Sequence, residues 1–135
     1  MSSAEIVTSL YDAFGRGDIP AVLGLLAPDV RWHEAEGNPY QPSGKGWVGP
    51  DAVVSNLFEK MGDDWTEFTV RPSLFHDSGS VVTVEGRYIA THRGTGKAFD
   101  SQVCHVWTVE DGKITKFQQY VDTAQMQDVM GAGVK

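Results

Sequence analysis

The sequence predicts a single α+β domain whose helices are segregated from a curved antiparallel sheet. Three observations point there. Apolar residues recur at helical spacing through the first sixty or so positions, and after Trp65 the period changes to two. The later segments are separated by turn chemistry, Asp77-Ser78-Gly79, Arg93-Gly94-Thr95-Gly96 and Asp111-Gly112, which suits hairpins rather than strand-helix-strand crossovers. With 135 residues, 41% of them hydrophobic, the chain can bury a core without disulfides or a structural metal.

Taken in order, Ile6, Leu10 and Phe14, flanked by Val7 and Tyr11, mark an amphipathic helix over 3–15, stopped by Gly15-Arg16-Gly17. Asp18 can cap a second helix in which Ile19, Val22, Leu23 and Leu26 share a face and Pro20 sits in the first turn. Ala27-Pro28-Asp29 ends it, and 30–36 reads as a short strand. A loop rich in Gly, Pro and polar residues spans 37–48. Gly49-Pro50-Asp51 then opens a third helix with Val54, Leu57, Phe58 and Met61 on one face. Strands follow at 66–76, 80–92, 97–110 and 113–121. Pro72 cannot donate to a ladder, so its strand lies at an edge or carries a bulge. Asp122-Thr123 can cap a short C-terminal helix. The order is α-α-β-α-β-β-β-β, which is α+β.

The formal net charge of −7, with acids and bases scattered, argues against nucleic acid and anionic membranes as partners, because phosphate binding needs a basic face. The longest apolar or small run, 21–27, is far too short for a membrane span. The N-terminal Met-Ser-Ser-Ala-Glu-Ile carries neither a basic region nor an apolar export core. The single cysteine, Cys104, has no internal partner and lies in an alternating apolar strand, which fits packing and a reducing cytoplasm.

Residues 32–40, WHEAEGNPY, hold the first chemical candidate. Val30, Trp32, Glu34 and Glu36 alternate against Arg31, His33 and Ala35. The apolar start of the first set turns Glu34 toward the interior, where burial beside an indole raises a carboxyl pKa and makes a proton-transfer group. The plain alternative is a solvated strand acid. Tyr40 and Trp47, on the loop over the open end of the sheet, can lid a pocket or simply staple the loop to the helices. Tyr88 shares a strand face with Val82, Val84 and Gly86 and points inward on that reading, while Glu85 and Arg87 form a surface charge pair.

The last hairpin poses a question of parity. A regular ladder about Asp111-Gly112 pairs Val109 with Ile114, Trp107 with Lys116, His105 with Gln118, Val103 with Tyr120 and Ser101 with Asp122. The opposite face carries Gln102, Cys104, Val106, Phe117, Gln119 and Val121. Either face can line a cavity, and a bulge would flip part of the assignment.

Several motifs fail. SGKG at 43–46 lacks the Ser/Thr and the upstream Gly of a phosphate-binding loop. His33, Glu34, Glu36, His92 and His105 fall in no metal-ligand spacing, so no metal is expected. With no dinucleotide fingerprint and no serine elbow, no cofactor is expected either.

AVLGLLAPDVRWHEAEG, the break to GWVGPDAVV, and the closing VWTVEDGKITKFQQYVD resemble the SnoaL-like branch of the NTF2-like superfamily, over nearly the whole chain. The resemblance implies a cone, with a curved antiparallel sheet backed by three helices from the N-terminal half. Ketosteroid isomerases of that superfamily carry their proton-moving carboxylate at the position matching Glu34. Their oxyanion tyrosine matches Leu10, with Tyr11 one step away, and their partner acid matches Cys104, which disfavours steroid isomerisation. SnoaL-like cyclases are similar in a strand histidine and in an aspartate closing the last strand. The isomerase alignment favours the face holding Cys104 and Gln119, whereas the cyclase likeness favours the preferred face, holding His105, Trp107, Tyr120 and Asp122, with His105 and Asp122 as an acid/base pair. The plainer roles are a core histidine and a helix N-cap. The resemblance thus implies a cofactor-independent enzyme that moves a proton alpha to a carbonyl of a small hydrophobic molecule. The alternatives are a non-catalytic binder of such a molecule or a structural dimerisation module. Apolar Val106, Phe117 and Val121 on the remaining face predict a homodimer.

Overall fold

The computed structural model describes residues 1–131. Helix α1, Ser3–Gly15, begins with a reciprocal capping box between Ser2 and Glu5 and buries Ile6, Val7, Leu10 and Ala13. Helix α2, Ile19–Gly24, is capped by Asp18. Strand β1, Leu26–His33, begins four residues earlier than its sequence pattern implied, and Glu34 lies just past its end. The apolar pair Leu26 and Ala27 is buried in the strand, so Pro28 interrupts no helix. A two-residue strand β2, Trp47–Val48, was hidden in the loop. The third helix is composite: α3, Pro50–Val53, a π-helical turn at Val54–Phe58, and α4, Glu59–Asp64. Strands β3, Trp65–Ser78, β4, Val81–His92, β5, Ala98–Glu110, and β6, Lys113–Val121, precede α5, Thr123–Val129.

The six strands lie in the order β2-β1-β6-β5-β4-β3. Consecutive hairpins build the β3–β6 meander, but β1 joins β6 in parallel, so the sheet is mixed rather than wholly antiparallel. Strand β3 is an edge and has a register shift between Pro72 and Leu74, satisfying both conditions that Pro72 set. Gly86 lies opposite. A Cβ there would come within 2.5 Å of the Arg71 carbonyl oxygen, so only glycine lets the strands close.

One face of the sheet carries the core. Leu10 and Val7 of α1, Val53 and Leu57 of the third helix, Val30 and Trp32 of β1, Val82 and Val84 of β4, Trp107 of β5 and Phe117 of β6 form one buried cluster. A second cluster, Trp65, Tyr88, Ala90, Phe99, Val103, Met126 and Val129, closes the far end against α5. Among the described residues, no helix is long and apolar enough to cross a membrane.

The hairpin parity has a mixed answer. Asp111 and Gly112 both have positive φ, as a tight two-residue turn requires, and Val109 pairs with Ile114. Then the register shifts: Thr108 pairs with Lys116, leaving Thr115 as the extra residue of a bulge. From there Trp107 faces Phe117, His105 faces Gln119, and Cys104 faces Tyr120. The inward set on β5 is the expected one, and so is Ile114 on β6, but beyond the bulge the inward set on β6 is the opposite of that expected.

Candidate functional site

Between α1, the third helix and the inner face of the sheet lies a cavity with about 60 Å³ of room for the centres of water-sized molecules. Its rim is half-buried and apolar, built from Phe14, Phe58, Met61, Phe68 and Val70. The π-helical turn belongs here, because it brings both Leu57 and the following Phe58 to the cavity wall. Deeper in, the wall turns polar at Glu34, Tyr11, Tyr88, His105 and Gln119.

Glu34 is only 3% exposed. Its backbone N–H donates to the Gln41 side-chain oxygen at 3.2 Å. Gln41 also accepts from Gly46 and donates to the Trp32 carbonyl, so it ties the 37–46 loop to β1. The Glu34 carboxyl has no such support. Its Oε2 and the neighbouring Trp32 Nε1 are both buried without a hydrogen-bond partner of acceptable geometry. Burial pushes the Glu34 carboxyl up to about 8, with Trp32 offsetting part of that rise. At neutral pH the group is therefore mostly protonated, yet poised to exchange its proton.

His105 lies across the cavity, and among the described residues no carboxylate bonds to it. The Tyr88 hydroxyl stands 2.6 Å from its Nε2 and the Tyr11 hydroxyl 2.7 Å from its Nδ1. Burial drives its pKa down to about 3, so the ring is neutral. Burial also raises both tyrosines, and the nearby Glu34 adds to the rise at Tyr88. The string continues at each end: Trp107 Nε1 donates to Tyr11, and Gln119 Nε2 donates to Tyr88, both at 2.9 Å.

The sequence candidates divide accordingly. Trp32, Glu34, Tyr40, Tyr88, His105 and Trp107 all line the cavity. Tyr40 is more than a lid, because its hydroxyl donates to Asp64 at 2.7 Å and accepts from Trp65 Nε1 at 2.9 Å. Trp47 is not in the wall. It pairs with Trp32 across β1–β2 and packs half-buried against the core, so it ties the loop to a strand rather than to the helices. Tyr120 is 58% exposed on the outer face, turned there by the Thr115 bulge. Asp122 is also outside. It caps α5, accepting from the Gln125 backbone N–H at 3.1 Å and the Gln125 side chain at 2.8 Å, and these bonds lower its pKa. No His105–Asp122 pair exists in this structure. Glu85 and Arg87 do not pair with each other either: Glu85 meets His76 and Arg87 meets Asp100.

The glycines of SGKG serve the loop. A Cβ on Gly46 would fall 2.6 Å from the His33 ring, so glycine lets that ring pack against the turn. No group of His, Cys, Asp and Glu able to hold a metal occurs among the described residues. Tyr11, Gln119 and the buried Asn38, which donates to Gln119 at 2.8 Å, were missed as site residues. Tyr11 had a signal, since it flanks the apolar face of α1. Gln119 stood on the face not preferred, and the bulge turns it inward.

A family model described as a SnoaL-like domain matches residues 7–117, and the chain belongs to that family. Comparison with curated proteins gave no match. Among solved structures, an NTF2-like protein from Burkholderia thailandensis is 35% identical with a TM-score of 0.90, over 96% of this chain and 98% of that one. TerC, co-crystallised with polyporic acid, is 25% identical with a TM-score of 0.84, again over 96% and 98%. IdmH, a putative polyketide cyclase from Streptomyces antibioticus, is 21% identical with a TM-score of 0.79, over 97% and 99%, and shares the fold.

Proposed function

We propose that the protein is a cofactor-independent enzyme that moves a proton alpha to a carbonyl in a neutral, hydrophobic, ring-containing molecule. The observation that carries this reading is Glu34: a buried carboxyl whose Oε2 has no hydrogen-bond partner, set in the wall of a cavity with an apolar rim. The apolar rim admits a molecule of low charge, and the polar floor orients its oxygen. In its ionised form Glu34 removes the proton from the α-carbon, and the electron pair moves onto the carbonyl oxygen as an enolate. The same carboxyl, now protonated, returns the proton to a conjugated carbon, or the enolate attacks a second carbonyl of the same molecule. TerC, a similar chain co-crystallised with polyporic acid, supports a small organic molecule as the occupant.

The test is α-proton exchange of 2-tetralone in D2O, followed by NMR. Wild type should exchange faster than buffer, with kcat/KM rising about tenfold per pH unit until it levels near 8, where Glu34 titrates. Binding without exchange, across this and related aryl ketones, would overturn the enzymatic reading in favour of a binding domain.

The same reading retains a homodimer across the outer sheet face, where exposed Tyr120 and half-buried Cys104 and Val106 gather. Phe117 and Val121 no longer support it, since the first is in the core and the second packs against the inner cluster.

A further inference from the structure

The string of hydrogen bonds through His105 has a fixed direction at both ends. At one end the Trp107 indole N–H can only donate, so Tyr11 accepts from it. At the other, the Gln119 side-chain oxygen accepts from the Ala35 backbone N–H at 3.2 Å, a group that can only donate. That fixes the amide orientation, and the Gln119 nitrogen must donate to Tyr88. Asn38 agrees, accepting from the Tyr40 N–H and donating to Gln119. Both tyrosine hydroxyls therefore accept on their outer sides and meet the histidine on their inner sides.

Now count protons. A neutral imidazole has one N–H and one bare nitrogen. Its two bonds to tyrosine need two protons, one of which the ring itself supplies. Two phenol protons are present, so one is left over, with no acceptor among the described residues.

Which hydroxyl keeps it depends on the tautomer. Glu34 decides once it is ionised, the form that removes the α-proton: its charge then acts on Tyr88, and its own Oε2 lacks a donor. A proton turned into the cavity from Tyr88 lies in that field. The favoured arrangement has Tyr11 donating to Nδ1 and Nε2–H donating to Tyr88.

We propose that Tyr88 uses this unclaimed proton to hydrogen-bond the substrate's carbonyl oxygen, and that His105, held as the Nε2–H tautomer by Tyr11, is the positioning residue that aims it. The proposal rests on the reading of the cavity as a carbonyl site, and it names the group that meets the developing enolate. Uncharged His105 suits this task, because a ring that keeps its single N–H pinned to Tyr88 leaves the hydroxyl nowhere to donate except the cavity.

The experiment compares binding of 2-tetralone with that of tetralin, which has the same rings and no oxygen. Wild type should prefer the ketone, and the carbonyl stretch of bound 13C-labelled 2-tetralone should move to lower frequency. Tyr88→Phe should cut that preference by about tenfold and restore the frequency, with tetralin affinity unchanged as the check that the cavity is intact. Tyr11→Phe should also reduce the preference, because Nε2 is then free to recapture the Tyr88 proton. Nitrogen-15 NMR of His105 should show the Nε2–H form in wild type and its loss in that variant. An undiminished ketone preference in Tyr88→Phe, or an Nδ1–H tautomer in wild type, overturns the proposal. Failure of α-proton exchange would instead strike the catalytic reading, leaving the binding comparison to judge Tyr88 separately.

Discussion

Glu34 follows the end of β1 and Asp122 follows the end of β6, two strands that run side by side in parallel. Both are carboxylic acids, and both were read from sequence as catalytic candidates. Glu34 faces inward with no partner, and burial pushes it up to about 8. Asp122 faces water at a helix start, where Gln125 holds it below its ordinary value. Residue type is thus a weak guide to chemistry. What separates them is whether the backbone points each group into a cavity or offers it an N–H.

The sharpest way to break the contrast is kinetic. Glu34→Gln keeps shape but loses the titrating proton, so exchange of 2-tetralone should fall by about two orders of magnitude while binding persists. Asp122→Asn should leave exchange within about twofold of wild type, as expected for an exposed group. Comparable losses in both variants would erase the distinction.

Stability against pH is the next effect. Between about 4.5 and about 8 the folded protein keeps the Glu34 proton that the unfolded chain has released, so stability falls as pH rises through that window. The slope from this one group approaches ~1.4 kcal/mol per pH unit. His105 acts oppositely. Between about 3 and 6.5 the unfolded chain takes up a proton that the folded ring refuses, so stability falls as pH drops. From 4.5 to 6.5 the two slopes oppose each other. His105 is common to both proteins, so denaturant midpoints measured across pH should show Glu34→Gln gaining over wild type steadily from about 4.5 to about 8, by a few kcal/mol, roughly, at the alkaline end. Asp122→Ala, by contrast, should lose only the local protection of the α5 amides, read by hydrogen exchange.

The smallest expected effect concerns the two faces of the sheet. Cys104 lies on the outer face beside Tyr120, so saturating the cavity with 2-tetralone should leave its reaction with a thiol reagent unchanged. Separating the proposed dimer should speed that reaction. A single monomeric species in sedimentation at micromolar concentration would remove the dimer from the reading.

Much of this was legible because the signals were local. The switch of hydrophobic period near Trp65, the Asp111-Gly112 turn, the Asp18 cap and the inward set Val30, Trp32, Glu34 are each decided within a few residues. The parallel β1–β6 pairing was not legible, since adjacent parallel strands far apart in sequence leave no turn to read. Strand β2 escaped because two residues cannot show a period.

The sequence alone determined that this chain folds as an α+β domain of the SnoaL-like kind and that Asp122 can cap a helix, and it offered Glu34 and His105 as inward groups beside plainer roles. The tertiary structure decided what those groups meet. One extra residue, Thr115, turns Gln119 inward and Tyr120 outward, because side chains alternate with a period of two and a single insertion inverts the faces beyond it. That inversion gives Tyr88 its Gln119 donor and leaves His105 between two tyrosines rather than beside an aspartate. No local pattern in KITKFQQYV announces it, since the bulge is chosen by which face the packed core accepts.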